Sequence, residues 1–403
     1  MSVNDTTVIQ WLNPQRIKVY SWAFFIMGIC QILWLVFVRL KNDPENGSDF
    51  GIFWAVAQLL HEGQAIKAYD ATAVHQVTQQ FMPALKKGTF GWFYPPQYFI
   101  FLYPLGWFGY LWSYLIFEGL SLWLAILGLR RLLPDARWVL LILGFGGVAI
   151  NLGYGQNAFQ TLALLTWIIV LQEKAPIRAG ILTGIMCYKP QLMLMIPVMF
   201  LQNSNWRAIV SGLVTLFCLV GLSMLLWDAN LWLVWLKSMS MATQALAKGG
   251  QHYWAMVYSL FAFVHRFGLS TELSMLVQIV QGLILFVITV KMTNNSQDRD
   301  LNNALWILTG LMMTPYLIEY EAAILLLPLV LYVKSGLNTG WHPREWIGLM
   351  LCYFLVMPCK WLGSTEDIEL GYFVMLSLYV MLVIRLARSA QNKNSNVVKA
   401  RWE

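Results

Sequence analysis

Long apolar runs separated by short polar breaks occupy most of the chain. A helix that crosses a bilayer needs about 20 apolar residues. The runs at 17–38, 111–130, 138–152, 157–172, 177–188, 190–202, 207–227, 271–291, 302–315, 319–334, 345–361 and 370–388 give twelve expected spans. The alternating ten-residue segments of a membrane barrel are missing, so the backbone polar groups must be closed inside helices. The runs 177–188 and 190–202 are short and flank Lys189-Pro190, which predicts a helical V with Lys189 at its apex. Proline suits the first turn of the second arm, where its missing amide costs nothing. The stretch 95–108 is also short and holds Pro104, so it reads as a juxtamembrane or re-entrant helix.

Composition agrees with this pattern. The 403 residues are 58% hydrophobic and only 12% charged, with mean hydropathy +0.58. Soluble domains carry roughly twice that charge. A soluble enzyme, a disordered chain and a secreted disulfide scaffold are excluded. The net charge of +7 does not point to nucleic acid, because the basic residues form no stripe with interleaved aromatics. They serve instead as orientation signals. In this layout 17 of the 27 basic residues are cytoplasmic, which predicts both termini inside. No metal-ligand spacing occurs among the five cysteines, and no cleavable signal peptide is evident.

One integral membrane domain is expected over 1–403, with large outer loops at 39–110 and 228–270 and a cytoplasmic tail from 389 to 403. Phe50–His61 has the pattern of an amphipathic helix lying at the membrane interface. The bulk outside the membrane lies on the outer face, so the chemistry is expected there.

Charge within membrane spans is rare, and where it occurs it is a functional suspect. Glu118, inside the second span, reads either as a helix–helix hydrogen bond or as a working residue. The other polar groups gather at outer helix ends: Asp49, Tyr94, Gly155-Gln156-Asn157, Lys189, Gln191, His252 and Glu319-Tyr320-Glu321. Asp49 stands directly before a helix, where a cap for orphan amides is the ordinary role. Lys189 can snorkel to the surface or neutralise an anion at membrane depth. Gly153 to Asn157 is either a tight turn with a capping Asn or a set of amides for a sugar or phosphate. The carboxylates of Glu319 and Glu321 either favour a helix N-terminus or form an outward polar site.

These pieces, in order, resemble a known family. They are GSDFGIFWAVAQLLHEGQAIKAYD, FYPPQYFIFLYPL, GYGQNAFQTLALL, AGILTGIMCYKPQLMLMIP and TPYLIEYEAAILLLPLVL, over roughly residues 45–335. They are similar to glycosyltransferase family 87, a group of GT-C-fold membrane enzymes. The resemblance implies an all-α polytopic fold of the GT-C type, with an active site on the periplasmic face of the plasma (inner) membrane. It also implies transfer of a hexose from a polyprenyl-phosphate donor to a lipid or glycan acceptor, with inversion. The best-known members are mannosyltransferases of mycobacterial glycolipid assembly, which makes mannose the expected sugar. The match implies Asp49 as general base, against the cap reading. It implies Lys189 as donor-phosphate ligand, and Tyr94, Gln156, Asn157, Gln191, Glu319, Tyr320 and Glu321 as substrate-binding residues. Neither a metal nor a cofactor is implied. One departure stands out: mycobacterial members carry histidines where this chain has Glu319, Tyr320 and Glu321. The rival from another class is a transporter or flippase of lipid-linked substrates, which places its polar groups at mid-membrane on broken helices.

Overall fold

A computed structural model describes residues 49–81, 91–247, 250–342 and 344–400, with scattered helical positions between 19 and 33. The expected first span, 17–38, therefore falls largely outside the described residues. No strand occurs among the described residues; one isolated antiparallel bridge joins Val257 and Ile318.

The expected spans fall on helices, several of them shorter than a full crossing. In chain order, α1 is Phe50–His61, α2 Tyr110–Leu132, α3 Arg137–Leu143, α4 Gly146–Tyr154, α5 Ala158–Leu171, α6 Pro176–Met186 and α7 Trp206–Leu226. They are followed by α8 Thr271–Asn294, α9 Arg299–Met313, α10 Leu326–Thr339, α11 Glu345–Phe354, α12 Val356–Thr365 and α13 Gly371–Ala400. Six helical stretches are long and apolar enough to cross a membrane, or up to seven if α3 and α4, bent by 52°, count as one. The other runs read as spans form shorter helices: α5, α6, α9 and the pieces between Pro190 and Gln202. The final helix continues through the segment read as a tail, to Ala400. The most apolar helices point their large side chains outward. Val210, Val214 and Phe217 of α7 and Leu276, Leu283 and Val287 of α8 are exposed. A soluble protein would bury such stripes, whereas lipid solvates them at no cost. The chain is a polytopic helical membrane protein.

The chain divides into two compact units. One comprises 33–125 and 151–250, and the other 1–32, 126–150 and 251–403. In the first, α1 is buried on nearly every side. Its polar side chains Gln58 and His61 are half-buried. The segment after Pro95 is broken into a 3₁₀ turn Pro96–Tyr98, a helical turn Phe99–Leu102 and a second 3₁₀ turn Tyr103–Trp107. Breaks of this kind release carbonyls from helical hydrogen bonding, which is costly away from water. Side chains of α1 satisfy them. Trp54 Nε1 donates to the Phe108 carbonyl at 3.1 Å and Gln58 Nε2 to that of Gly106 at 3.2 Å. His61 Nε2 meets the Tyr103 carbonyl at 2.8 Å. The spacing i, i+4, i+7 puts these three side chains on one helix face, against the carbonyls.

Helices α6 and α7 cross on small residues. A Cβ on Gly180 would lie 2.2 Å from the Ala208 carbonyl oxygen, and one on Gly184 would lie 2.6 Å from that of Gly212. Glycine four residues apart on one face allows such backbone contact without a hydrophobic driving force in lipid. Gly180→Leu is expected to destabilise the protein by about 1–3 kcal/mol through overpacking. The measurement is the thermal midpoint in detergent, and an unchanged midpoint would contradict this crossing.

Candidate active site

The first unit gathers most of the polar residues singled out above. Asp49 occupies the cap position of α1 but makes no side-chain cap bond. Its Oδ2 instead accepts from Gln156 Nε2 at 2.9 Å, across 107 residues of sequence. A carboxylate only accepts, so this contact sets which end of the amide faces Asp49. The other end, Gln156 Oε1, lies 3.5 Å from the Tyr94 hydroxyl. The same hydroxyl donates to Asn157 Oδ1 at 3.2 Å, and Asn157 Nδ2 donates to Tyr98 Oη at 3.3 Å. Tyr98 in turn donates to Gln160.

Local structure explains how these side chains come to converge. Gly155 ends α4 with φ +70°, a left-handed conformation that favours glycine. The turn places Gln156 and Asn157 at the start of α5. Asn157 sits at the cap position without capping, so both ends of its amide serve tyrosines. Pro95 is extended and Pro96 opens the following turn. Tyr94 is tied down by its own carbonyl, which accepts from the Tyr69 hydroxyl at 3.0 Å.

Lys189 is buried at the apex between α6 and the Pro190 helix. The preceding Tyr188 stacks on Tyr98 at 4.5 Å, and its hydroxyl is 2.9 Å from that of Thr161. The Lys189 backbone is therefore fixed to the tyrosines of the same cluster. Gln191 is exposed. Tyr98, Gln160 and Tyr188 were missed as site residues. They sit within apolar runs. Gln160, three residues beyond Asn157 and polar in an apolar helix, was the available signal.

Glu319, Tyr320 and Glu321 belong to the other unit, and all three are buried. They open a 3₁₀ turn, Glu319–Leu325, ahead of α10. Glu319 forms a buried ion pair with Lys360 of α12. Its amide donates to the Met256 carbonyl at 2.9 Å, and the Tyr258 amide to that of Leu317 at 2.7 Å. The second large loop is thereby laced to the approach to Glu319. Nearby Glu369 is buried, and that burial pushes its carboxyl up to about 8, against hydrogen bonds from the Tyr372 and Gly371 amides and the charge of Arg266. The side chain of His252 lies outside the described residues.

Helices long and apolar enough to span a membrane, together with a carboxylate–amide–tyrosine cluster on the shorter elements, define a polytopic membrane protein with a polar site. The family model for glycosyltransferase family 87 matches residues 92–315, more than half of the chain. The chain belongs to that family and is a glycosyltransferase. The match includes Tyr94, Gln156, Asn157, Lys189 and Gln191; Asp49 and the Glu319–Glu321 segment lie outside it. No curated protein and no solved structure matches.

Proposed function

We propose that the enzyme transfers a hexose, mannose, from a polyprenyl-phosphate donor to a lipid or glycan acceptor at the outer face of the plasma membrane. Asp49 accepts the proton of the acceptor hydroxyl as that oxygen attacks the anomeric carbon. The bond from that carbon to the phosphate oxygen breaks, and the polyprenyl phosphate leaves with the electron pair. One displacement inverts the anomeric centre. Lys189 stabilises the charge growing on the leaving phosphate, which is the kind of electrostatic term that dominates many enzymes. Tyr94, Asn157 and Gln191 bind sugar or acceptor.

The observation that carries this reading is the Gln156–Asp49 contact. A carboxylate that leaves its helix uncapped and is held by an amide from a distant loop is oriented for something other than helix termination. Gln156 thus acts first as the orienter of Asp49. The Lys360 pair gives Glu319 a charge-balancing duty. Twelve crossings with both termini cytoplasmic complete the proposal.

The test uses purified protein in vesicles with isotopically labelled polyprenyl-phosphate mannose and a lipid extract as acceptor. Labelled glycolipid of inverted configuration is expected. Transfer from a nucleotide sugar alone, or movement of donor across the vesicle without transfer, would overturn the assignment and favour a different donor or a flippase.

A further inference from the structure

Glu118 has no part in the chemistry above, yet it is among the most deeply buried carboxyls of the first unit, 2% exposed in the middle of α2. It accepts from Asn151 Nδ2 of α4 at 3.0 Å. One turn earlier on the same helix face, the Tyr114 hydroxyl donates to the Leu152 carbonyl at 2.7 Å. Two adjacent residues of α4 are thus gripped by two residues of α2. Four residues further on stands Gln156.

The same stretch of α2 also holds Asp49 in place. The ring of Phe50, directly after Asp49, packs edge-on to Tyr114 at 5.5 Å and lies 5.3 Å from Phe117. Tyr114 therefore touches both arms of the site, the one that carries Asp49 and the one that carries Gln156.

The hydrogen-bond count at the grip is informative. Among the described residues, Glu118 Oε1 and Asn151 Oδ1 are both buried without a partner. Both atoms are acceptors if Glu118 is ionised. An ionised carboxylate with no cation is costly inside a membrane protein. One proton on Glu118 resolves both deficits. The acid then donates to Asn151 Oδ1 while Asn151 Nδ2 donates back, a reciprocal acid–amide pair with every polar atom used.

We propose that Glu118 is a positioning residue held as the neutral acid in a reciprocal pair with Asn151, and that this pair sets Gln156 against Asp49. The proposal rests on the reading of Asp49 as the base, but its protonation half stands without it.

The test has two arms. Infrared difference spectra of wild type against Glu118→Gln, in vesicles at neutral pH, are expected to lose the carbonyl stretch of a protonated carboxyl. Loss of ionised-carboxylate bands instead would overturn the neutral acid. This arm needs no turnover, so it survives if hexose transfer from the lipid donor is never found. In the kinetic arm, Glu118→Gln can reproduce both hydrogen bonds and is expected to keep kcat within about threefold. Glu118→Ala and Asn151→Ala are expected to lower kcat by about ten- to 10²-fold, the scale of an ångström's misplacement, at unchanged donor KM. The double variant is expected to be no worse than either single one. Wild-type kcat in Glu118→Ala, an effect on KM alone, or a Gln variant as impaired as the Ala variant would each refute the positioning role. If the alanine variants fail to fold, the Gln variant and its spectrum still decide.

Discussion

Asp49→Asn is expected to lower hexose transfer by about 10²–10⁴-fold, the usual worth of a general base. The substitution is nearly isosteric, and the Asn carbonyl can still accept from Gln156, so the orientation of the side chain survives and only its basicity is lost. The structure also separates this outcome from the ordinary one. A capping Asp replaced by Ala costs the helix about 1 kcal/mol. Here the carboxylate makes no cap bond to α1, so Asp49→Ala should leave the thermal midpoint in detergent near the wild-type value. Single-turnover transfer of labelled sugar, read beside the melting curve, tells the two roles apart. A fallen midpoint with transfer intact would mean that Asp49 is a cap.

Lys189→Ala carries the second large effect. A preorganised charge at a leaving group is worth about 10²–10³-fold in kcat. Lys189 is buried where α6 ends and a proline-started helix begins, and its backbone is anchored through the Tyr188–Tyr98 stack. A lysine at an unconstrained surface would have neither feature. The loss should appear in kcat measured at saturating polyprenyl-phosphate mannose. Lys189→Arg keeps the charge but changes its geometry, and is expected to fall between alanine and wild type. Wild-type kinetics in Lys189→Ala would remove it from the phosphate site.

The helical class could be read from apolar runs alone, because lipid solvates apolar side chains and imposes closed backbone hydrogen bonding. Asp49, Tyr94, Gln156 and Asn157 were each visible as polar residues at run ends. Their meeting was not visible, since the Asp49–Gln156 contact joins residues 107 apart. Trp54, Gln58 and His61 share one face of α1, and that face meets the carbonyls of a broken neighbour. A hydrophobic pattern reports polarity but not whether water or backbone answers it. The pairing of Lys360 with Glu319 depends on tertiary contact that no local pattern encodes.

That pair also bears on how the protein is built. Its two members lie 41 residues apart, and synthesis delivers the acid before the base. When the stretch carrying Lys360 reaches the bilayer, its counter-charge has already been made. A lysine that would resist entering lipid alone thus meets a waiting carboxylate.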